Sequence, residues 1–276
     1  GTEHFPGNSL IEWSDKKGIK FGKNLNAYTT PDYAEYMLTD VPVGGYGITD
    51  SCLLVLHDWA GGLTLADDAI EAERNVIAEE RRAFEGNTQQ LLLDKVYQGS
   101  RYADRKVMGS PEVVRSVKPD VLRNFYKSWF RPELQCVIVV GDVDPEQIEQ
   151  KITTMFSDLK NPVGAPARVS YQMDDNPETL FAVNEDSKLS RNEIYILKKY
   201  DAVPNDVKPE VRITSDYVIG IINIMLDARL RKMAQQNGSL FDVAACQFME
   251  SIGYMKNSTC AIGYFKQNMG EQAFRA

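Results

Sequence analysis

The residues in this chain best placed to do chemistry are two carboxylates set seven positions apart. Over Ala69–Arg82 and on to Leu91, a period of 3.6 lines up Ile70, Glu73, Ile77, Glu80, Phe84 and Leu91 along one helical stripe. Glu73 and Glu80 stand two turns apart and only about 20° out of register. The other four positions are apolar, so the stripe is expected to face a core. A carboxylate carried there is costly unless it is paired, protonated or bound to a metal. Arg74, Arg81 and Arg82 fall off the stripe, within reach of water. A charged surface helix with a partly exposed stripe is the plainer alternative.

The remaining chemistry-bearing residues are few. The two histidines, His4 and His57, cannot by themselves house a mechanism that needs several imidazoles. His4 reads as a loop residue and His57 as a core-edge or surface residue of an amphipathic helix. Cys52, Cys136, Cys246 and Cys260 show no C-x-x-C spacing, which argues against a structural zinc or a redox pair. Cys52 and Cys136 sit inside apolar runs, where a thiol behaves as a small hydrophobe. A Cys246–Cys260 bridge between neighbouring strands stays open as an alternative.

The elements that must position these groups can be read from punctuation and period. Asn8-Ser9 opens a short helix that closes at Gly18, and Leu25–Thr30 and Tyr33–Asp40 read as strands joined at Thr30-Pro31-Asp32. Helices are expected over Ile48–Trp59 and Ala66–Tyr97, the latter weakened at Gly86-Asn87. Further helices begin at Ser110-Pro111, Pro119 and Pro145, with a buried strand over Gln135–Asp142 between the last two. Residues 157–177 carry Pro162, Pro166, Pro177, Gly164 and Asp174-Asp175-Asn176, the composition of a linker. Beyond it come strands near Thr179–Asn184 and Glu193–Tyr200 and a helix from Val211 to Gln236 that stops at Asn237-Gly238. Strands near Phe241–Met249 and Thr259–Phe265 come next, then a helix opening near Met269.

The fold class is therefore α+β, with a first unit over 1–160, a linker over 161–177 and the start of a second unit over 178–276. At 276 residues the chain has room for two domains, and 43% hydrophobic with 25% charged residues is an ordinary globular balance. A net charge of −8 argues against nucleic acid or an anionic membrane surface as partner. The longest apolar runs, Cys52–Leu56 and Cys136–Val140, are too short to span a bilayer.

Several segments resemble the pitrilysin/insulinase zinc metallopeptidases, the inverzincins. Glu73-Arg74-Asn75-Val76-Ile77-Ala78-Glu79-Glu80 is similar to that family's distal zinc-ligand helix. Asn24-Leu25-Asn26-Ala27-Tyr28-Thr29-Thr30 looks like its substrate-binding edge strand, and Gly109-Ser110-Pro111-Glu112-Val113 its Gly-(Thr/Ser)-x-Glu turn. Leu122–Gly141 resembles its helix, aromatic-x-Pro turn and buried strand. Gly1-Thr2-Glu3-His4-Phe5-Pro6-Gly7 is similar to the stretch just past the metal motif in large bacterial members.

The resemblance implies two lobes of mostly antiparallel sheet with helices packed on one face, both incomplete. It implies zinc in the parent protein, with Glu80 as metal ligand and Glu73 as the carboxylate that orients the site. Asn26 and Ala27 would bind a peptide or unfolded protein as an added strand. Pro31 and Ala34 depart from the family's usual turn after that strand, which bears on substrate preference. The family's His-x-x-Glu-His, which supplies two zinc ligands and the general base, is absent from these residues. The chain is accordingly expected to be a fragment starting just after that motif, inactive alone and holding no zinc of its own. A homologous second half or partner subunit is the expected companion, and the large bacterial members imply an exported or periplasmic location. The alternative is a non-catalytic homologue that binds peptides or scaffolds an active subunit; retention of both glutamates favours the peptidase.

Overall fold

The structure, a computed structural model, describes residues 1–42, 47–84, 88–183, 192–204, 207–253, 256–266 and 270–275. In chain order these form α1 (Ser9–Lys16), β1 (Leu25–Thr29), β2 (Ala34–Leu38), α2 (Ile48–Gly61), α3 (Asp67–Phe84), α4 (Thr88–Val96), α5 (Pro111–Ser116), α6 (Pro119–Trp129) and α7 (Pro145–Met155). Then come β3 (Asn192–Asp201), α8 (Pro209–Ala234), β4 (Phe241–Gly253), β5 (Lys256–Phe265) and α9 (Gly270–Arg275). The expected weak point at Gly86-Asn87 lies outside the described residues. The class is α+β, and every pairing between the named strands is antiparallel.

The chain divides into two compact units, one of residues 1–83 and 107–169 and the other of 84–106 and 170–276. In the first unit, β1 and β2 form an antiparallel hairpin with Leu25 opposite Leu38 and Thr29 opposite Ala34. Its turn holds because the Thr30 hydroxyl accepts from the backbone N–H groups of Asp32 and Tyr33, while Pro31 fixes φ between them. The core beside the hairpin is Ile19, Leu25, Ile48, Val55 and Trp59, with Leu10 and Trp13 of α1 packed against it. Tyr126 of α6 closes the end of α2, donating to the Trp59 carbonyl at 2.9 Å. Pro119 and Pro145 stand at the first turns of α6 and α7, where a missing N–H costs nothing, and Asp144 caps α7 by accepting from Glu146 and Gln147.

The expected buried strand over Gln135–Asp142 does not form. The segment has no regular structure and its exposure alternates, with Cys136, Ile138 and Val140 open to solvent, Val140 at 92% exposure. A strand exists through its ladder, and no described strand pairs with this one, so only the alternation survives. The same reasoning covers 179–183, where no strand forms and Phe181 and Val183 are exposed; residue 184 lies outside the described residues.

The second unit is a three-stranded antiparallel sheet in the order β3-β5-β4. α8 lies against β4, where Asp227 accepts the Cys246 N–H at 3.0 Å, and it gives way to Gly238 at φ +82°. Cys246 faces Ala261 across the ladder and Cys260 faces Gln247. All four cysteines are free thiols, which closes the disulfide alternative. Burial pushes the Cys260 thiol up to about 11. A smaller cluster of Val96, Tyr102 and Met173 ties α4 and the 170s segment to the sheet.

Lys256, buried at the start of β5, holds Asp175 at 2.9 Å and Asp201 at 2.6 Å. The ammonium pulls the Asp175 carboxyl below its ordinary 3.8, and Asp201 leads in raising Lys256 above 10.5. Asp175 therefore contributes above its unfolded value and loses that contribution as pH falls through its lowered one. Lys256 contributes below 10.5 and loses its contribution as pH rises through its raised value. Lys256→Met should be less stable than the parent chain at pH 7. Urea titrations should show that gap narrowing once pH falls below about 4; a constant gap from pH 7 to 3 would contradict this.

Candidate active-site helix and the Asp58 cluster

α3 carries both glutamates, and its packing differs from the expected stripe. Ile70 is buried and Ile77 half-buried, but Glu73 and Glu80 are exposed. Among the described residues, neither carboxylate has a hydrogen bond or an ion pair. The reason lies one position along the helix. Arg74 donates from its guanidinium to the carbonyls of Val114 and Val117 and pairs with Glu71 at 2.9 Å. Arg81, a heptad later, donates to the Gly109 carbonyl. The arginines thus turn inward to the 109–117 loop and leave the adjacent face, with Glu73 and Glu80, in solvent. Arg74→Ala should speed amide hydrogen exchange along 67–84 and at 113–117, and unchanged exchange would show that this clasp is not what seats the helix.

The loop that receives the arginines is itself capped. Ser110 accepts from the Val113 N–H at the start of α5, behind Pro111. The backbone and the Ser110 hydroxyl hold the Glu112 carboxyl below its usual range.

On β1 only Leu25 is buried; Asn26 and Ala27 are exposed, and the Ala27 N–H donates to the Asn26 carboxamide at 2.9 Å. The two-stranded sheet pairs β1 with β2 alone among the described residues. A further strand could be added at its free edge, once the Asn26 side chain swings off the Ala27 amide.

A second constellation, unforeseen from the sequence, gathers at the end of α2. Asp58 is fully buried; its Oδ2 accepts from the Thr2 hydroxyl and from the His4 N–H at 2.9 Å. Its Oδ1 faces His4 Nδ1 at 2.7 Å. Burial pushes the Asp58 carboxyl up, but Thr2 and His4 together outweigh it and hold the group below its ordinary value. His57, also buried, donates from Nε2 to Asp158 at 3.0 Å. The cluster pins residues 1–5 along 62–64, where Gly1 accepts from Thr64 and Glu3 donates to Gly62. His57 is thus an interior residue, and His4 sits in a loop but is firmly held. The adjacent His57-Asp58 pair inside an apolar helix was the available signal.

The residues present do not compose a zinc site at Glu80. Both histidines stand around Asp58, and Glu80 belongs to no described group of three metal-donor side chains. No helix among the described residues is long and apolar enough to cross a membrane.

The family model described as Insulinase (Peptidase family M16) matches residues 1–107, and that described as Peptidase M16 inactive domain matches 116–207. The chain belongs to the insulinase, or M16, peptidase family. It is 32% identical over 172 residues to the probable zinc protease PqqL of Escherichia coli, covering 61% of this chain and 18% of that protein. The crystal structure of the periplasmic protease PqqL from Escherichia coli superposes with a TM-score of 0.81 at 25% identity, over 96% of this chain and 29% of that one. Cytochrome b-c1 complex subunit 1 of Rattus norvegicus is 26% identical over 167 residues, 58% of this chain and 32% of its own length. The chain thus spans about a fifth of the PqqL relative.

Proposed function

We propose that these 276 residues serve in a zinc metalloendopeptidase that hydrolyses peptides or unfolded protein bound as an added β-strand. The observation that carries the reading is the retention, on one solvent-facing side of α3, of Glu73 and Glu80 at the spacing the family uses. Glu80 is the metal ligand and Glu73 the carboxylate that orients the site, reached from outside these residues by the two histidines and general-base glutamate of a His-x-x-Glu-His helix. Asn26 and Ala27 offer backbone groups at the free edge of β1. Residues 1–160 and 178–276 are two homologous lobes joined by 161–177, and a further homologous half or a partner subunit completes the enzyme. The periplasmic label of the Escherichia coli relative supports an exported location.

The test is peptide cleavage. The 276-residue chain should leave an unfolded peptide intact, and a longer protein that adds the His-x-x-Glu-His segment should cleave it in a chelator-sensitive way. A longer protein that carries the motif, binds zinc and still fails to cleave would favour a non-catalytic subunit.

A further inference from the structure

We propose that His4, His57 and Asp58 form a binding site for a divalent transition-metal ion of the zinc type, with Asp158 holding the His57 ring from behind. One donor atom from each of the three residues lies within 4.8 Å of the other two, and no other group of three His, Cys, Asp or Glu residues among the described residues does so.

The protons show what the gap between them lacks. A carboxylate only accepts, so His57 Nε2, 3.0 and 3.2 Å from the two Asp158 oxygens, must carry the hydrogen. With Nε2–H spent on Asp158, Nδ1 is the ring atom left to a ligand. That atom is buried, has no hydrogen-bond partner, and faces Asp58 Oδ1 at 3.6 Å. An unpartnered ring nitrogen and a carboxylate oxygen thus face each other across a space that a cation would fill. Asp58 Oδ2 is already taken by the Thr2 hydroxyl and the His4 N–H, which leaves Oδ1 to serve as the ligand.

The surroundings suit a dication. Asp58, Asp158 and Glu3 all act electrostatically on His4, and among the described residues no lysine or arginine pairs with any of the three. The His57–Asp158 bond is the carboxylate-histidine arrangement that fixes tautomer and ring orientation behind a metal. Two imidazoles and a carboxylate favour zinc or its transition-series neighbours over magnesium or calcium, which prefer oxygen alone. Three protein ligands leave the fourth position to water on the side of His4, whose side chain is 45% exposed. The two rings stand 6.2 Å apart between centroids. On binding, the ion takes the place of the proton between His4 Nδ1 and Asp58 Oδ1, and that proton moves to Nε2 of the same ring. The consequence is a metal staple from the 1–5 segment to the end of α2. Glu80 takes no part, so this site and the peptidase reading stand or fall separately.

The experiment titrates Co²⁺ and Zn²⁺ into the chelator-stripped 276-residue chain. One equivalent should bind, with visible Co²⁺ bands of a four- or five-coordinate site and a rise in Tm with Zn²⁺. His4→Gln, at the exposed ligand, should keep its far-UV circular dichroism and lose affinity by more than about tenfold. His57→Gln should abolish the bands. Asp158→Asn should shift the bands and weaken binding by roughly tenfold, within the range for outer partners. Glu80→Gln should bind as the parent chain does. Absence of stoichiometric binding would overturn the proposal, as would parental affinity in His4→Gln and His57→Gln, or loss of binding in Glu80→Gln.

Discussion

Glu80→Gln, made in a longer protein that carries the His-x-x-Glu-His segment, should lower zinc occupancy and peptide cleavage together, by more than the roughly 100-fold that bounds outer-partner effects. Three protein ligands are the norm at a catalytic zinc, and an amide replaces the anionic one with a neutral oxygen. Glu73→Gln, one step out, should cost roughly 10–100-fold in cleavage, and less in occupancy than Glu80→Gln. Both side chains are exposed and unpaired among the described residues, so neither substitution removes a packing contact or a hydrogen bond there. Thermal unfolding of the 276-residue chain should therefore be unchanged by either. A drop in activity that tracked a drop in Tm would point to structure rather than chemistry.

Asp58→Ala should be the most destabilising of the changes considered, by about 3 kcal/mol measured in chelator, because removing a buried anion orphans its donors. The Thr2 hydroxyl, the His4 N–H and the His4 ring would all lose their acceptor in an interior where Asp58 is fully enclosed. Thr2→Val removes only one of those donors and should cost about 1 kcal/mol. The loss in Asp58→Ala should appear first as exchange and proteolysis of residues 1–5, which the cluster holds along 62–64. If Asp58→Ala unfolds at the parental denaturant midpoint, the buried hub contributes little.

Much of this architecture is written in local chemistry. Pro111, Pro119 and Pro145 each start a helix where a fixed φ is wanted, and Ser110 and Asp144 add a side-chain acceptor at two of those starts. Thr30-Pro31-Asp32 closes the hairpin through one hydroxyl, and Gly238 takes the left-handed turn after α8. The features that escape a reading of the sequence depend on residues far apart. The Gln135–Asp142 run has the alternation of a strand, but a strand is made by its neighbour, and none of the described ones pairs there. Asp58 joins Thr2 and His4, 56 and 54 residues away, and its neighbour His57 reaches Asp158, 101 residues away, partners that the local His57-Asp58 pair does not name. On α3 the helical period is legible, and Ile70 and Ile77 of the apolar stripe do turn inward, but Glu73 and Glu80 of the same stripe do not. Long arginines off that stripe reach backbone carbonyls of the 109–117 loop and draw the helix round, so that the glutamates face water.

The most direct test of Glu80 as the metal ligand is anomalous diffraction at the zinc edge from crystals of a longer protein carrying the His-x-x-Glu-His segment. The account predicts a peak about 2.0–2.2 Å from a Glu80 carboxylate oxygen, with Glu73 outside ligand distance and the β1 edge at Asn26 and Ala27 on the same side of the sheet. A zinc peak on the histidines of that segment with Glu80 out of reach, or Glu80 on the opposite side of the sheet from Asn26, would contradict it.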